Sequence, residues 1–167
     1  MYSPAARTLF ASAVRTSKPR NAFGNISVRT VVTLKDVKYT ATATASGGGR
    51  NGHVEAGNLK LNLALPKELG GNGKGENPEQ LFAAGYSACF LGALQAVAGK
   101  LGKQEMAKNA VVTAQVHIGT PTNQPGFGLS VDIKVAGIDE ELLQAGHAFC
   151  PYSRALGQGV VVSVSTT

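Results

Sequence analysis

The sequence predicts an α+β fold in which antiparallel sheets pack around a long central helix. The first observation is a stretch of helical length, 81–99, that carries no charged residue. The second is that the strand-like segments come as neighbouring pairs joined by glycine- or proline-rich turns, which favours antiparallel pairing over βαβ repeats. At 167 residues, the chain is long enough to bury the core of a single domain.

Charge is concentrated at the N-terminus. Residues 1–35 hold six basic side chains and no acidic one, which accounts for the whole formal net charge of +6. The remaining chain is neutral, so it lacks the basic surface that a nucleic-acid-binding protein needs. We therefore expect no nucleic-acid partner.

The first 32 residues have the composition of a mitochondrial targeting segment. They are rich in Arg, Ser, Thr and Ala, and Leu9, Phe10 and Val14 can share one helical face away from the arginines. A disordered basic arm is the alternative interpretation. The sequence thus predicts a presequence or basic arm over 1–32 and a folded domain over 33–167. It predicts a mitochondrial location, or a cytoplasmic one if the segment is not a presequence.

Two strands are predicted before the central helix. Residues 31–45 alternate and are rich in Val and Thr, which is typical of a strand. A glycine-rich turn over 46–57 follows. Apolar residues then recur at period two, as in a strand with one buried face, at Leu59, Leu61, Leu63 and Leu65. An antiparallel hairpin or meander is therefore expected here.

The central helix carries its own start and stop signals. Asn77 suits the N-cap, Pro78 the first helical position, and Gln80 the third residue of a capping box. Gly99 or Gly102 suits the C-terminal end. Because the segment between them is apolar on every side, we expect the helix to be buried.

A membrane-spanning helix is the competing interpretation of 81–99. The stretch contains Tyr86, Ser87, Gln95 and three glycines, and the sequence has no second apolar span. We therefore expect no membrane association.

The C-terminal half predicts a hairpin, a helix and a last strand. Residues 111–118 and 129–137 alternate on either side of a Pro/Gly turn, as in an antiparallel hairpin. Asp139 can cap the next helix, which should end before Pro151 because proline disfavours helical geometry in its predecessor. Residues 160–166 close the chain as a strand.

The two cysteines are the residues that could carry chemistry. Cys89 lies mid-helix among small residues, and Cys150 lies at the predicted helix break; their separation excludes a CxxC motif. With three histidines and no His-x₃-His spacing, no metal site is expected. The residues alone leave three alternatives open: thiol redox chemistry, an inert buried cysteine, and thiol hydrolysis with a histidine base. The candidate bases are His53, His117 and His147.

Four segments resemble the signature blocks of the organic hydroperoxide resistance proteins, the Ohr branch of the Ohr/OsmC superfamily. They are RNGH at 50–53, PKELGG at 66–71, NPEQLFAAGYSACFLGAL at 77–94 and HAFCPYS at 147–153, in family order. The resemblance covers roughly 35–165, and the FCPYS context is the most specific part. The N-terminal arm and the continuation RALGQGVVVSVSTT depart from the usual pattern.

The resemblance implies a thiol peroxidase that reduces alkyl and fatty-acid hydroperoxides to alcohols. The implied fold is an OsmC-like swapped homodimer, with active sites at the interface and sheets packed around long central helices. The implied reductant is dihydrolipoamide or a lipoylated protein, with no bound cofactor. Carried over by position, Cys89 is the peroxidatic cysteine, Cys150 the resolving cysteine, and Arg50 and Glu79 their polar partners.

Helix geometry adds one expectation. Glu79 and Cys89 are ten positions apart on one helix, which is about 15 Å. One Arg50 guanidinium cannot touch both, so we expect Arg50 and Glu79 to reach the cysteine of the other subunit. Apolar neighbours of the cysteines could line a substrate pocket or merely pack; they are Phe90, Leu94 and Phe149.

Overall fold

The computed structural model describes residues 31–166. The predicted presequence therefore lies almost entirely outside the described residues. The division into 1–32 and 33–167 stays a prediction.

The N-terminal part forms a three-stranded antiparallel sheet in the order β1–β2–β3. The strands are β1 (Thr44–Ser46), β2 (His53–Ala56) and β3 (Leu59–Asn62), and a 3₁₀ turn, Gly49–Asn51, joins the first two. The predicted meander is present, but its strands are short.

Two predicted strands are wrong. Of 31–45, only the last two residues join β1, and 160–166 makes a single bridge, between Val160 and Val32. A strand needs a continuous run of hydrogen bonds to a neighbour, and beyond this bridge neither segment forms one within the described chain. Their side chains are left open to solvent, with Tyr39 84% and Val164 91% exposed.

Helix α1 (Pro78–Leu101) begins and ends as predicted. The Asn77 side chain accepts from the Gln80 N–H at 2.9 Å, and the Gln80 side chain accepts from the Asn77 N–H at 2.8 Å. This reciprocal capping box satisfies two otherwise free N–H groups. At the other end Gly102 adopts the left-handed conformation, with φ of 68°, that ends many helices.

The expectation that α1 is buried on every side is wrong for the single chain. Its buried face packs against the elements that follow it; the residues are Tyr86, Phe90, Ala93, Leu94 and Ala98. The opposite face is exposed and carries Ala84, Ala88, Gly92 and Ala96. Among the described helices α1 is the one long and apolar enough to cross a membrane. That is weak support for a span, because a core helix has the same composition.

The C-terminal part supplies the elements that cover α1. A short helix α2 (Gln104–Lys108) leads into the predicted hairpin, β4 (Val111–Gly119) and β5 (Gly128–Ala136). The hairpin turns one apolar face to the core, with Val112, Ala114, Val131, Ile133 and Val135. The predicted α+β fold with antiparallel sheets is confirmed.

Two helices follow the hairpin. They are α3 (Glu140–Phe149), capped by Asp139, and α4 (Pro151–Gln158). Gly146 lets α3 approach α1, since a Cβ there would lie 2.4 Å from Leu94 Cδ2. The break between α3 and α4 falls at Cys150, as predicted.

Candidate active site

The two cysteine sulfurs are in contact; we call Cys89 and Cys150 the sulfur pair. The Cys150 thiol donates to Cys89 Sγ at 3.7 Å. A disulfide bond is about 2.05 Å long, so this is the dithiol form. Cys150 is fully buried, whereas Cys89 is half-buried. Cys89 is therefore the sulfur that a molecule from solvent can reach.

The helix break turns Cys150 inward. Its N–H donates to the Gly146 carbonyl at 2.8 Å, which ends α3, and its carbonyl accepts from the Arg154 N–H at 3.1 Å, which begins α4. Pro151 forces an extended conformation on its predecessor, and Cys150 has φ of −61° and ψ of 124°. One residue thus serves both helices and presents its side chain to α1.

Burial raises the pKa of the Cys89 thiol above its ordinary value. A hydrogen bond from the Tyr152 backbone N–H lowers this pKa, and the Cys150 sulfur raises it, each by less than burial does. Tyr152 supplies the first free amide of α4, because Pro151 has none. Within one chain the balance favours the thiol over the thiolate.

Arg50 and Glu79 form a second group, which we call the ion pair. Arg50 Nη2 donates to Glu79 Oε2 and bridges it as an ion pair. Arg50 lies in the Gly49–Asn51 turn and Glu79 in the first turn of α1. Asn51 holds the turn in place, because its side chain accepts from the Leu65 N–H at 2.9 Å. Within 31–166, Arg50 Nε is the one buried side-chain nitrogen or oxygen that lacks a hydrogen-bond partner.

The structure brings the four predicted residues together in two groups, not one. The ion pair joins α1 at Glu79, and the sulfur pair joins it at Cys89. Ten positions of helix lie between them, about 15 Å. Of the three apolar neighbours, Phe90 and Leu94 are packed in the core and Phe149 is exposed.

A polar group beside the sulfur pair was not predicted. Tyr86 Oη and Ser153 Oγ are 2.9 Å apart, and His147 Nδ1 lies 3.1 Å from the same Ser153 oxygen. The signal that could have found it is spacing: Tyr86 comes three residues before one cysteine, and Ser153 three residues after the other. Which helix faces meet is not written in either segment alone.

One ring nitrogen of each histidine bonds a partner other than cysteine. His53 bonds Asn62, His117 bonds Asp132, and His147 bonds Ser153. No Cys–His pair of the kind that a thiol hydrolase uses is present among residues 31–166.

The profile of the OsmC-like protein family matches residues 71–165. An organic hydroperoxide resistance protein of Xanthomonas axonopodis pv. citri is 42% identical over 138 residues, which cover 77% of this chain and 94% of that protein. A crystal structure of an organic hydroperoxide resistance protein OsmC from Legionella pneumophila superposes with a TM-score of 0.65 at 43% identity, covering 75% of this chain and 94% of that chain. OhrB of Bacillus subtilis, also an organic hydroperoxide resistance protein, superposes with a TM-score of 0.62 at 38% identity, covering 73% and 93%.

Proposed function

Since this chain belongs to the OsmC-like family, as one of its organic hydroperoxide resistance proteins, we propose that it is a thiol peroxidase that reduces organic hydroperoxides to alcohols. The observation that carries the proposal is the sulfur pair: one reachable sulfur in contact with one buried sulfur at 3.7 Å. A buried structural cysteine needs no second sulfur beside it.

The reaction proceeds in two steps on this pair. The Cys89 thiolate attacks the outer oxygen of the hydroperoxide, the O–O bond breaks, and the alkoxide takes a proton and leaves as the alcohol. Cys89 is then a sulfenic acid. The Cys150 thiol attacks its sulfur, a disulfide forms and water leaves, which protects Cys89 from further oxidation.

The active form is a homodimer in which Arg50 and Glu79 of one subunit face Cys89 of the other. Three observations support this. The pKa of Cys89 is raised within one chain, whereas catalysis needs the thiolate. Arg50 Nε lacks an acceptor in its own chain. The exposed face of α1 carries small residues at every fourth position, Ala84, Ala88, Gly92 and Ala96, which permits close helix packing.

The reductant is a dihydrolipoyl group, free or attached to a carrier protein. Its two thiols return the Cys89–Cys150 disulfide to the dithiol by exchange and become a cyclic disulfide themselves, so the two-electron cycle balances. Turnover assays that compare dihydrolipoamide with glutathione test this. Equal rates at equal thiol concentration would contradict it.

The protein acts in mitochondria, with 1–32 as a presequence. The composition of that segment supports this, whereas the relatives described above are bacterial. The N-terminal sequence of protein isolated from the source organism's mitochondria should begin between Asn21 and Val32. An intact Met1 there would overturn the proposal.

Thiol counting after one equivalent of cumene hydroperoxide tests the peroxidase. We expect the wild type to lose both thiols and Cys89→Ser to lose none. Cys150→Ser should accumulate sulfenic or overoxidised Cys89. Retention of both thiols in the wild type would leave a non-catalytic binding protein as the alternative. If native mass spectrometry found a single chain that keeps full activity, the proposed dimer would be wrong.

A further inference from the structure

Helices α1 and α4 contact each other through successive pairs of residues. Cys89 of α1 meets Cys150 at the start of α4. Tyr86 lies three residues before Cys89, and its partner Ser153 lies three residues after Cys150. The two contacts therefore lie next to each other along one antiparallel contact between the helices, since residues three apart share a helix face.

The contact between the Tyr86 and Ser153 hydroxyls is buried. Tyr86 is 4% and Ser153 7% exposed, so each hydroxyl depends on the other more than on solvent for its hydrogen bond. A slip of α4 along α1 would leave the buried Tyr86 hydroxyl without this partner, which buried polar groups rarely tolerate. This 2.9 Å hydrogen bond therefore favours one alignment of α4 along α1 over the neighbouring alignments.

Two further contacts surround this hydrogen bond. His147, in the last turn of α3, bonds Ser153 at 3.1 Å and so ties α3 to α4 across the break at Cys150. A serine hydroxyl can serve Tyr86 and His147 at once, because it has one donor and two acceptor positions. The Tyr152 ring lies over Gly85 and stacks on Phe82, with ring centres 6.2 Å apart.

We propose that the Tyr86–Ser153–His147 network is a positioning device that keeps Cys150 in reach of oxidised Cys89. The proposal rests on the peroxidase function above. It assigns these residues to the resolving step and not to the reaction with hydroperoxide, because none of the three contacts Cys89 Sγ by hydrogen bond.

The fate of oxidised Cys89 depends on how close Cys150 is held to it. Cys89 sulfenic acid has two fates: the Cys150 thiol converts it to the disulfide with release of water, or a second hydroperoxide converts it to sulfinic acid with release of alcohol. The first reaction is intramolecular and depends on the position of Cys150. The second depends on the hydroperoxide concentration. The network therefore sets how much hydroperoxide the enzyme tolerates before inactivation.

Two variants, Ser153→Ala and Tyr86→Phe, remove one hydroxyl each and keep both cysteines. We expect disulfide formation after sulfenate formation to slow by about tenfold, since small misplacements cost that much in intramolecular reactions. The first step, followed by stopped-flow with one equivalent of hydroperoxide, should slow by much less than disulfide formation does. Sulfinic acid, measured by intact mass, should then appear at about tenfold lower hydroperoxide concentration than in wild type.

The matched control is Ser87→Ala. Ser87 is also a serine near Cys89, but its hydroxyl donates to the Ala84 carbonyl of its own helix. This variant should match wild type in both steps. An equal rise of sulfinic acid in Ser87→Ala, or none in either network variant, would overturn the proposal.

A second measurement separates this proposal from the peroxidase function. In glutathione redox buffers, the equilibrium constant for forming the Cys89–Cys150 disulfide reports how well the two sulfurs are positioned, with no hydroperoxide present. We expect it to fall about tenfold in Ser153→Ala and Tyr86→Phe. If the wild type did not react with hydroperoxide but the equilibrium constant still fell in the variants, the peroxidase proposal would be wrong and the positioning role would stand. An unchanged constant in folded variants would refute the role itself.

Discussion

The first turn and the middle of helix α1 carry the two halves of the site, and these halves differ in what one chain can complete. At the sulfur pair, both reacting atoms come from the same chain and are held 3.7 Å apart. At the ion pair, Arg50 is positioned by Glu79 and by its own turn, yet one of its buried nitrogens has no acceptor. The resolving half is complete within one chain, while the ion pair lies on the same helix too far from Cys89 to touch it in that chain.

This difference shows what each half of the site needs in order to react. Disulfide formation needs proximity, which helix packing within one chain supplies. Thiolate formation needs a nearby cation, because burial alone raises the pKa of Cys89. If the site is shared between subunits as proposed, it is active only when two chains meet, and a single chain carries a mostly protonated thiol.

Arg50→Ala should produce the largest effect. Without the cation, we expect the second-order rate with hydroperoxide to fall about 10²–10³-fold, as when a charge-stabilising donor is removed from other active sites. The pKa of Cys89, read from the pH dependence of alkylation in a Cys150→Ser background, should rise, so that the reactive thiolate appears only at higher pH. Arg50→Lys should recover part of the rate. An unchanged pH profile would remove the ion pair from the mechanism.

Mixing Arg50→Ala with Cys89→Ser chains sharpens the comparison further. If the ion pair of one chain serves the sulfur pair of the other, each mixed dimer has one complete site. Random pairing then restores about a quarter of wild-type activity, because half of the dimers are mixed. Steady-state rates of refolded or co-expressed mixtures provide the measurement. If each chain uses its own Arg50, the mixture should be no more active than its parents.

Gly146→Ala addresses the sulfur pair alone. The added methyl would lie 2.4 Å from Leu94 Cδ2 and force α3 away from α1. Overpacking of this kind costs about 1–3 kcal/mol. We expect a lower urea midpoint and slower disulfide formation, with the ion pair unaffected. Gly157→Ala is the control, since a Cβ there meets nothing within 4 Å. Equal losses in both variants would mean that the packing at Gly146 is not what matters.

Local signals predicted the elements that a single chain completes. The capping box of α1, the β4–β5 hairpin and the break at Pro151 each depend on residues a few positions apart. The strands over 31–45 and 160–166 did not form as predicted, because alternation reveals an apolar face but not a neighbour for it. The apolar surface of α1 likewise gave no indication that one side would stay open.

The prediction of the candidate site has the same limit, because local signals found some of its residues and not others. Residue types and spacing identified Cys89 and Cys150 but left three histidines open as partners. Resemblance to a family was needed to single out Arg50 and Glu79. The contact between Tyr86 and Ser153 spans 67 positions, and neither segment on its own specifies the register between two helices.

Asn77→Ala should produce the smallest effect, and it separates the ion pair from the sulfur pair most cleanly. Asn77 caps the end that bears Glu79, and removing such a cap costs about 1 kcal/mol. The melting temperature should fall by about 3–5 °C, while Asn77→Asp, which keeps the capping oxygen, should match wild type. Because fraying is confined to the first turn, the equilibrium constant of the sulfur pair should not change, whereas the reaction with hydroperoxide should slow as Glu79 loosens its hold on Arg50. A shift in the disulfide equilibrium of Asn77→Ala would show instead that α1 transmits changes along its whole length, and the two halves would then have to be treated as one unit.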